Sequence, residues 1–391
     1  MTPWRRNQYV VVATVFVVFT GFAFVLPFLP LYVRELGVED EEKAALWAGV
    51  LIGVAPLLAG LLAPFWGRLG DRYGHKRMAV RALAAYVALL AASALVTQVW
   101  QLLALRVGVG LFGGIGPLGL AMATSLAPRE ETGRAVGLVQ AAQILSAAVG
   151  PFVGGLLADA IGIRQTFLVT AGVCALALVL LAAWYQEAPR STAVGAADRQ
   201  PFGEVLRLPH VPALLVVLFF VNFIGRSFTP ILPAQLMSLG VERARVASST
   251  GVMISAYSIA AALSAALLGR ASRRHPPRLL LALTLFAGAG LVLPMALASS
   301  YVQFLSLAVL LGLAAGGSLT LCYTLGGLLV PSERRATAFG FFAGAALFGG
   351  SVSPSAAGLL AHWDLRSIYY VDTLLYLGLA AALLAGSWRT R

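Results

Sequence analysis

Long apolar stretches separated by short polar intervals run along almost the whole chain. A helix that crosses the apolar part of a bilayer needs roughly 20 apolar residues, and twelve stretches reach about that length. They lie approximately at 8–33, 45–66, 78–97, 99–126, 133–159, 164–185, 211–238, 246–268, 277–297, 300–329, 335–361 and 366–387. The pattern predicts an all-α integral membrane protein with twelve transmembrane helices.

One polar interval is much longer than the others. Residues 188–210 are polar and rich in Pro, Gly and Ala, and they divide the predicted helices six and six. This composition is typical of a linker. We predict an N-terminal six-helix bundle over 1–187, a cytoplasmic linker over 188–210 and a C-terminal six-helix bundle over 211–391.

The two halves repeat at an offset of 203 residues. Pro27 falls on Pro230, and about 15 of 47 positions in 113–159 are identical to their counterparts in 316–362. Parallel six-helix repeats are one plan of membrane transporters, in which the substrate site lies near the bilayer midplane between the halves. The repeat therefore predicts two pseudo-symmetric bundles.

Composition and charge agree with a membrane location. The chain is 59% hydrophobic and 11% charged, with a mean hydropathy of +0.86. If the N-terminus is cytoplasmic, about 20 of the 28 Lys and Arg residues lie in inside segments and about 6 in outside loops. This bias follows the positive-inside rule. We therefore predict that both termini are cytoplasmic, and that the net charge of +12 reflects topology and not nucleic-acid binding.

Several classes of catalytic site have no counterpart in the sequence. A Walker A loop needs Gly-Lys followed by Ser or Thr, and the sequence has no such triplet. It has no GxSxG or HExxH motif, and its four histidines form no ligand cluster. Cys174 and Cys322 lie in apolar stretches and are expected to be buried thiols. We expect no enzyme activity, cofactor or metal site, and an ion or solute gradient as the energy source.

The segment FWGRLGDRYGHKRMAV, residues 65–80, concentrates charge between the second and third apolar stretches. Gly67 and Gly74 allow a tight turn. A basic turn that obeys the topology rule would explain Arg72 and its basic neighbours. It does not explain why Asp71 stands between the glycines.

GRLGDRYGHK resembles the signature that follows the second span in the major facilitator superfamily. The match covers Gly67, Asp71, Arg72 and Gly74 as well as Leu69 and Lys76. The resemblance implies that the loop is a latch, in which Asp71 engages neighbouring helices and stabilises the outward-facing state. His75 departs from the usual Arg or Lys.

Two further segments are similar to motifs of the same family. LLALRVGVGLFGG places Arg106 in the fourth span, where the family has an arginine linked to proton transfer. SAAVGPFVGG in the fifth span resembles the antiporter motif, with Ser146 in place of its first glycine, and it contributes Gly150, Pro151, Gly154 and Gly155. The structural alternative for this segment is close helix packing alone.

The resemblance is strongest to the twelve-span drug:proton antiporters, in particular to MdtG-like multidrug exporters, through segments such as PFLPLYVRELGV and GPFVGGLLAD. It implies a monomeric secondary transporter of the bacterial inner membrane. Such a protein exports lipophilic or amphipathic drugs by alternating access in exchange for protons, in contact with membrane lipids. The alternative is a transporter or flippase for an anionic amphiphile, such as a lysolipid or an organic anion.

Aromatic and polar residues in the spans are candidates for substrate contacts. A mostly apolar pocket with few polar groups suits amphipathic molecules, and the candidates are Phe22, Phe24, Gln140, Gln143, Asn222, Arg226, Tyr257, Tyr323, Phe341 and Phe342. Lipid-facing packing is the alternative for each aromatic side chain. Arg226, midway along the seventh span, is either a ligand for an anionic group or a structural arginine satisfied by backbone carbonyls.

Acidic residues are scarce in the predicted membrane interior. The first four spans contain no Asp or Glu in their interiors. Asp372 lies near the outer end of the last span, where an ion pair with Arg366 is a simpler expectation than proton transport. We therefore expect Asp71 and Arg106 to couple transport to protons, with Asp372 as a further candidate.

Overall fold

A computed structural model describes residues 3–125, 131–187, 206–331 and 335–385. Within these ranges, the side chains at 3, 41, 64, 67, 71, 117, 124, 125, 132, 133 and 335–337 are not described. All regular elements in the described ranges are helices. The predicted all-α class is confirmed for this part of the chain.

Sixteen α-helices are described, and each predicted apolar stretch coincides with one helix or with two consecutive helices. They are α1 (Pro3–Val25), α2 (Leu29–Glu35), α3 (Glu41–Tyr73), α4 (His75–Ser93), α5 (Val99–Phe112), α6 (Ile115–Ser125), α7 (Thr132–Ile161), α8 (Ile163–Trp184), α9 (Val211–Ser227), α10 (Leu232–Ser238), α11 (Val246–Ala271), α12 (Pro277–Ala296), α13 (Tyr301–Ala315), α14 (Ser318–Leu329), α15 (Arg335–Ala361) and α16 (Ser367–Ala385). Over the described residues, nine helical segments are long and apolar enough to cross a membrane, and the bent pair α9–α10 makes a tenth.

Two of the predicted spans are broken by identifiable backbone features. The fourth span divides into α5 and α6 at Gly113 and Gly114, where Gly114 has a φ of 115° that L-residues with a side chain rarely adopt. The seventh span divides between α9 and α10, which are bent by 46°, and Pro233 stands in the first turn of α10. Broken helices free backbone polar groups inside the span, and these groups are then available to side chains or ligands.

The chain forms two compact units. One contains residues 1–190 and 241–255, and the other contains residues 191–240 and 256–391. In the first unit, α1 packs on α7 and α8, while α4 packs on α8. In the second unit, α9 packs on α15 and α12 packs on α16. Most of the predicted linker, 188–205, lies outside the described residues, so its boundaries stay a prediction.

The repeat seen in the sequence recurs in the contacts within each unit. In the first unit, Ser146 Oγ of α7 lies 3.0 Å from the carbonyl oxygen of Phe16 in α1 and 2.7 Å from that of Ala142 in its own helix. In the second unit, Ser353 Oγ of α15 donates to the carbonyl oxygen of Phe223 in α9. Ser353 occupies the repeat position of Gly150. In each half, one serine therefore connects the two packed helices. The two serines lie one helical turn apart when the halves are aligned.

Candidate functional site

The charged stretch after the second span is helical on both sides of a single glycine. Helix α3 continues to Tyr73 and α4 begins at His75, so the loop expected here is reduced to the turn at Gly74. Gly74 has a φ of 99°, and an added Cβ would lie 2.5 Å from Glu187 Oε1. Glu187, which follows α8, accepts a hydrogen bond from the Lys76 backbone N–H at 3.3 Å. The motif thus needs glycine here for its backbone conformation, whereas the exposed Glu187 side chain could move away from an added Cβ.

The other predicted latch residues are only partly described. The backbones of Gly67 and Asp71 lie in α3, and their side chains are outside the described part of the structure. Arg72 is exposed, and its guanidinium carbon lies 5.4 Å from the centre of the Tyr73 ring. The latch role of Asp71 therefore stays a prediction.

Trp66 at the start of the charged stretch and Arg81 directly after it bind backbone carbonyls at the C-terminal end of α5. Trp66 Nε1 donates to the carbonyl oxygen of Leu111 at 2.8 Å, and Arg81 Nη2 donates to that of Phe112 at 3.2 Å. The Arg81 guanidinium also lies 3.5 Å from the centre of the Trp66 ring. The last carbonyls of a helix have no partner within it, so this pair stabilises the C-terminal end of α5.

The predicted coupling residue Arg106 is buried, with 3% of its surface exposed. Its Nε donates to the carbonyl oxygen of Leu51 in α3 at 2.9 Å. Arg106 interacts electrostatically with the nearby Tyr86 of α4. The Tyr86 ring in turn contacts Phe22 edge-on, with 4.8 Å between ring centroids. The fold thus brings Phe22 and Arg106 to the same tyrosine, which sequence analysis missed because a single tyrosine in an apolar span carries no motif.

The antiporter-like motif of the fifth span lies where α7 meets its neighbours most closely. A Cβ added at Gly150 would lie 3.1 Å from the carbonyl oxygen of Thr20 in α1, and one at Gly154 would lie 2.5 Å from that of Phe24. Gly155 faces the start of α11 instead. Pro151 lies inside α7. These contacts agree with the packing alternative for the motif and leave its role in antiport a prediction.

Asp159, one turn beyond this motif, binds the N-terminal end of α11 within the same unit. Its carboxylate oxygens accept hydrogen bonds from the backbone N–H groups of Ala247 at 3.3 Å and Ser248 at 2.7 Å. A carboxylate at a helix N-terminus satisfies free donors and interacts favourably with the helix dipole. Asp159 therefore acts as a cap supplied by a distant segment. Sequence analysis missed it, although a lone acid at the end of an apolar stretch was a signal.

The remaining substrate candidates of the first unit differ in exposure. Phe24 is buried, with 7% of its surface exposed. Gln140 is exposed on α7, whereas Gln143 and Phe22 are half-buried. Gln140 and Gln143 are therefore accessible polar groups in a helix that is otherwise mostly apolar.

In the second unit, Arg226 is the notable candidate. Its side chain is exposed and lies against Gly350 of α15, whose added Cβ would be 3.6 Å from Arg226 Cγ. Its guanidinium has no hydrogen bond or ion pair to any other described residue, whereas the neighbouring candidate Asn222 donates to the carbonyl oxygen of Leu218 at 3.1 Å. The structural role expected as an alternative for Arg226, in which backbone carbonyls satisfy it, is not observed among the described residues.

The four aromatic candidates of the second unit lie in different environments. Tyr257, Tyr323 and Phe341 are half-buried. Tyr323 stacks on Phe339 with 5.8 Å between ring centroids. Phe342 has no exposed surface and packs on Gly326, so it is a core residue of its unit.

Asp372 occupies an unexpected environment. It has no exposed surface, and its Oδ2 lies 2.5 Å from Ser227 Oγ at the end of α9. No ion pair between Asp372 and Arg366 is found among the described residues. The Arg366 backbone N–H instead donates to Asp364. The predicted ion pair was wrong, because the carboxyl group points into the packed helices and away from the helix end.

Comparison with known families identifies the fold. The family model described as Major Facilitator Superfamily matches residues 11–249 and 215–391. The chain belongs to the Major Facilitator Superfamily. It is therefore a multi-span membrane transporter, and the resemblance that the loop and span motifs indicated is confirmed.

Relatives within the superfamily include proteins named for multidrug resistance. The Multidrug resistance protein MdtG of Proteus mirabilis is 33% identical over 326 residues, which cover 82% of this chain and 81% of that protein. The Multi-drug resistance efflux pump PmrA homolog of Lactococcus lactis is 31% identical over 340 residues, covering 86% and 84%.

Solved structures agree on the superfamily fold. A bacterial homolog of the human lysosomal transporter Spinster matches with a TM-score of 0.79 at 18% identity, covering 98% of this chain and 97% of that one. A D-xylose-proton symporter matches with a TM-score of 0.77 at 16% identity over the same shares. At these identities the likeness shows the fold alone.

Proposed function

We propose that this transporter exports lipophilic and amphipathic compounds across the bacterial inner membrane in exchange for protons. The observation that carries the proposal is the similarity to proteins named for multidrug resistance, at 31–33% identity over most of the chain. A gradient is the proposed energy source because the sequence has no Walker A motif. The distribution of basic residues supports cytoplasmic termini.

Alternating access is proposed as the mechanism of transport. The cavity for the substrate is expected to expose few polar groups, and accessible Gln140 and Gln143 in the first unit and Arg226 in the second are candidates for it. The close packing of Gly150 and Gly154 on α1 keeps the helices of the first unit together as a body. The rigid-body movement of repeats is the usual form of alternating access.

A second candidate cargo is an anionic amphiphile, such as a lysolipid or an organic anion. The observation that favours it is Arg226, whose exposed guanidinium has no partner among the described residues. A charged group in a membrane span is costly and usually functional. A guanidinium binds carboxylates and phosphates through paired hydrogen bonds.

Dye accumulation in bacteria that lack their own pumps tests the proposal. Cells that express the chain should accumulate less Nile red than cells with an empty vector, and a protonophore should abolish the difference. Equal dye in both strains would contradict export of lipophilic compounds. Labelled lysolipids and organic anions would then test the second candidate in the same cells.

A further inference from the structure

Asp372 combines complete burial with incomplete hydrogen bonding. None of its surface is exposed, its Oδ2 contacts Ser227 Oγ at 2.5 Å, and its Oδ1 has no hydrogen-bond partner in the described structure. An isolated carboxylate costs several kcal/mol to bury even after relaxation of the protein. Such a group in a native structure needs an explanation.

The neighbours of Asp372 supply no compensating positive charge. The titratable groups beside it are Tyr369 and Tyr376 on its own helix, and Tyr257 of α11 is a neighbour of Tyr376. From α9 it meets Ser227, and the Tyr369 ring stacks on Phe228 at 5.1 Å. Helix α12 contributes Gly288, which packs on Tyr376. Among the described residues, no Lys, Arg or His forms an ion pair with Asp372.

The hydrogen bonds of Ser227 indicate which form of the carboxyl group fits the site. Ser227 Oγ also lies 2.9 Å from the carbonyl oxygen of Ile224, and a serine hydroxyl has only one hydrogen to donate. If that hydrogen is donated to Ile224, the short contact to Asp372 requires a hydrogen on the carboxyl group. A protonated Asp372 donates through Oδ2 to Ser227 Oγ, and both contacts of the Ser227 hydroxyl are then hydrogen bonds. Oδ1 stays without a partner in the described structure, which costs less for a neutral carboxyl group than for a carboxylate.

The position of Asp372 beside the C-terminal end of α9 also favours the protonated carboxyl group. Ser227 is the last residue of α9, at the break of the seventh span. The C-terminal end of a helix carries a partial negative charge, which opposes a carboxylate there. When the proton leaves, the Ser227 hydroxyl can rotate and donate to the carboxylate instead of to Ile224.

We infer that Asp372 is a proton-binding site of the second unit, with Ser227 as its positioning residue. A proton transferred from a hydronium ion forms an O–H bond at Asp372 Oδ2 and leaves a water molecule, and its return to water restores the carboxylate. A role of this site in coupling rests on the proposed exchange of drug for protons. The protonation of Asp372 itself is independent of that proposal. Arg226, a candidate substrate-binding residue, directly precedes Ser227 in α9. A candidate substrate contact and the proton site are therefore neighbours along the chain.

Two measurements on the purified full-length protein test the inference. In proteoliposomes with an imposed pH gradient, Asp372→Asn should lower gradient-driven Nile red transport at least tenfold, while dye equilibration without a gradient stays within about twofold. In infrared spectra recorded against pH, the C=O band of a protonated carboxyl should be present in wild type and absent in Asp372→Asn. The matched control is Asp364→Asn, which replaces an exposed carboxylate and should keep both signals.

The possible outcomes separate the two proposals. Wild-type gradient-driven transport by Asp372→Asn, or the absence of the infrared band from wild type, would overturn the proton site. If wild type itself shows no gradient-driven transport, the proposed exchange fails, and the infrared band alone decides whether Asp372 binds a proton.

A variant of the positioning residue keeps the test valid if Asp372→Asn does not fold. Ser227→Ala removes the partner of the carboxyl group and should shift the pH midpoint of the infrared band. An unchanged midpoint would contradict the assignment.

Discussion

The close contact between α7 and α1 at Gly154 predicts that adding one methyl group there destabilises the protein. A Cβ at this position would lie 2.5 Å from the carbonyl oxygen of Phe24 and 2.8 Å from its carbonyl carbon. Both are backbone atoms of α1, so no side chain can rotate away. Ordinary van der Waals contact begins at 3.4 Å, and Gly154→Ala would therefore force α1 and α7 apart by about 1 Å.

The magnitude follows from two opposing effects. Overpacking of a well-packed contact costs about 1–3 kcal/mol. Replacing a helical glycine by alanine gains about 1 kcal/mol through helix propensity. Gly137 lies in the same helix and is exposed, and an added Cβ there has nothing within 4 Å. The control variant Gly137→Ala therefore has the propensity gain without the clash.

The assay titrates the purified protein in mixed micelles with a denaturing detergent. The unfolding curve gives the free energy of unfolding of each variant. Gly154→Ala should be about 1–3 kcal/mol less stable than Gly137→Ala, because the propensity term cancels in this comparison. Equal stability of the two variants would refute the argument, since it would show that α1 and α7 do not rely on close approach at Gly154.

Two further substitutions test the roles of charged residues. Asp71→Asn should reduce export of Nile red severalfold with unchanged membrane insertion, because the resemblance assigns Asp71 to the latch. Unchanged efflux would remove that role. Arg226→Ala should abolish competition by anionic lysolipids with dye export, whereas Arg226→Lys should retain part of it because the charge is kept but the paired hydrogen bonds are lost. Equal competition in wild type and Arg226→Ala would contradict a role of Arg226 in binding anionic groups.

Local features of the sequence predicted the helices and the family. Apolar length placed every described helix, because the bilayer leaves a chain few alternatives to a helix about 20 residues long. The loop signature around Gly74 indicated the superfamily, and the positive φ of Gly74 gives the physical reason for glycine there. The helix boundaries were less accurate, since α3 and α4 extend to within one residue of each other. Hydropathy ends the predicted second span at residue 66, whereas the polar residues that follow remain helical up to Tyr73.

The candidate site was only partly accessible from sequence. Arg106 and Arg226 were identified because a charge in an apolar stretch stands out, yet nothing in the sequence distinguished their environments. One is buried and donates to Leu51, and the other is exposed without a partner among the described residues. Which face of a helix turns inward depends on all of its neighbours. The same limit concealed Glu187 at the Gly74 turn.

The sequence by itself determined the all-helical class, the twofold repeat and the superfamily. The hydropathy of a stretch and a short motif depend only on residues close together in the chain, and the repeat depends on residues at one fixed spacing. Only the tertiary structure decided the environment of Asp372. Its partner Ser227 is 145 residues away, and near Arg366 in the sequence a surface ion pair was the natural expectation. Packing of α16 against α9 and α12 removes the carboxyl group from water. Its chemistry follows from that burial, which no local pattern encodes.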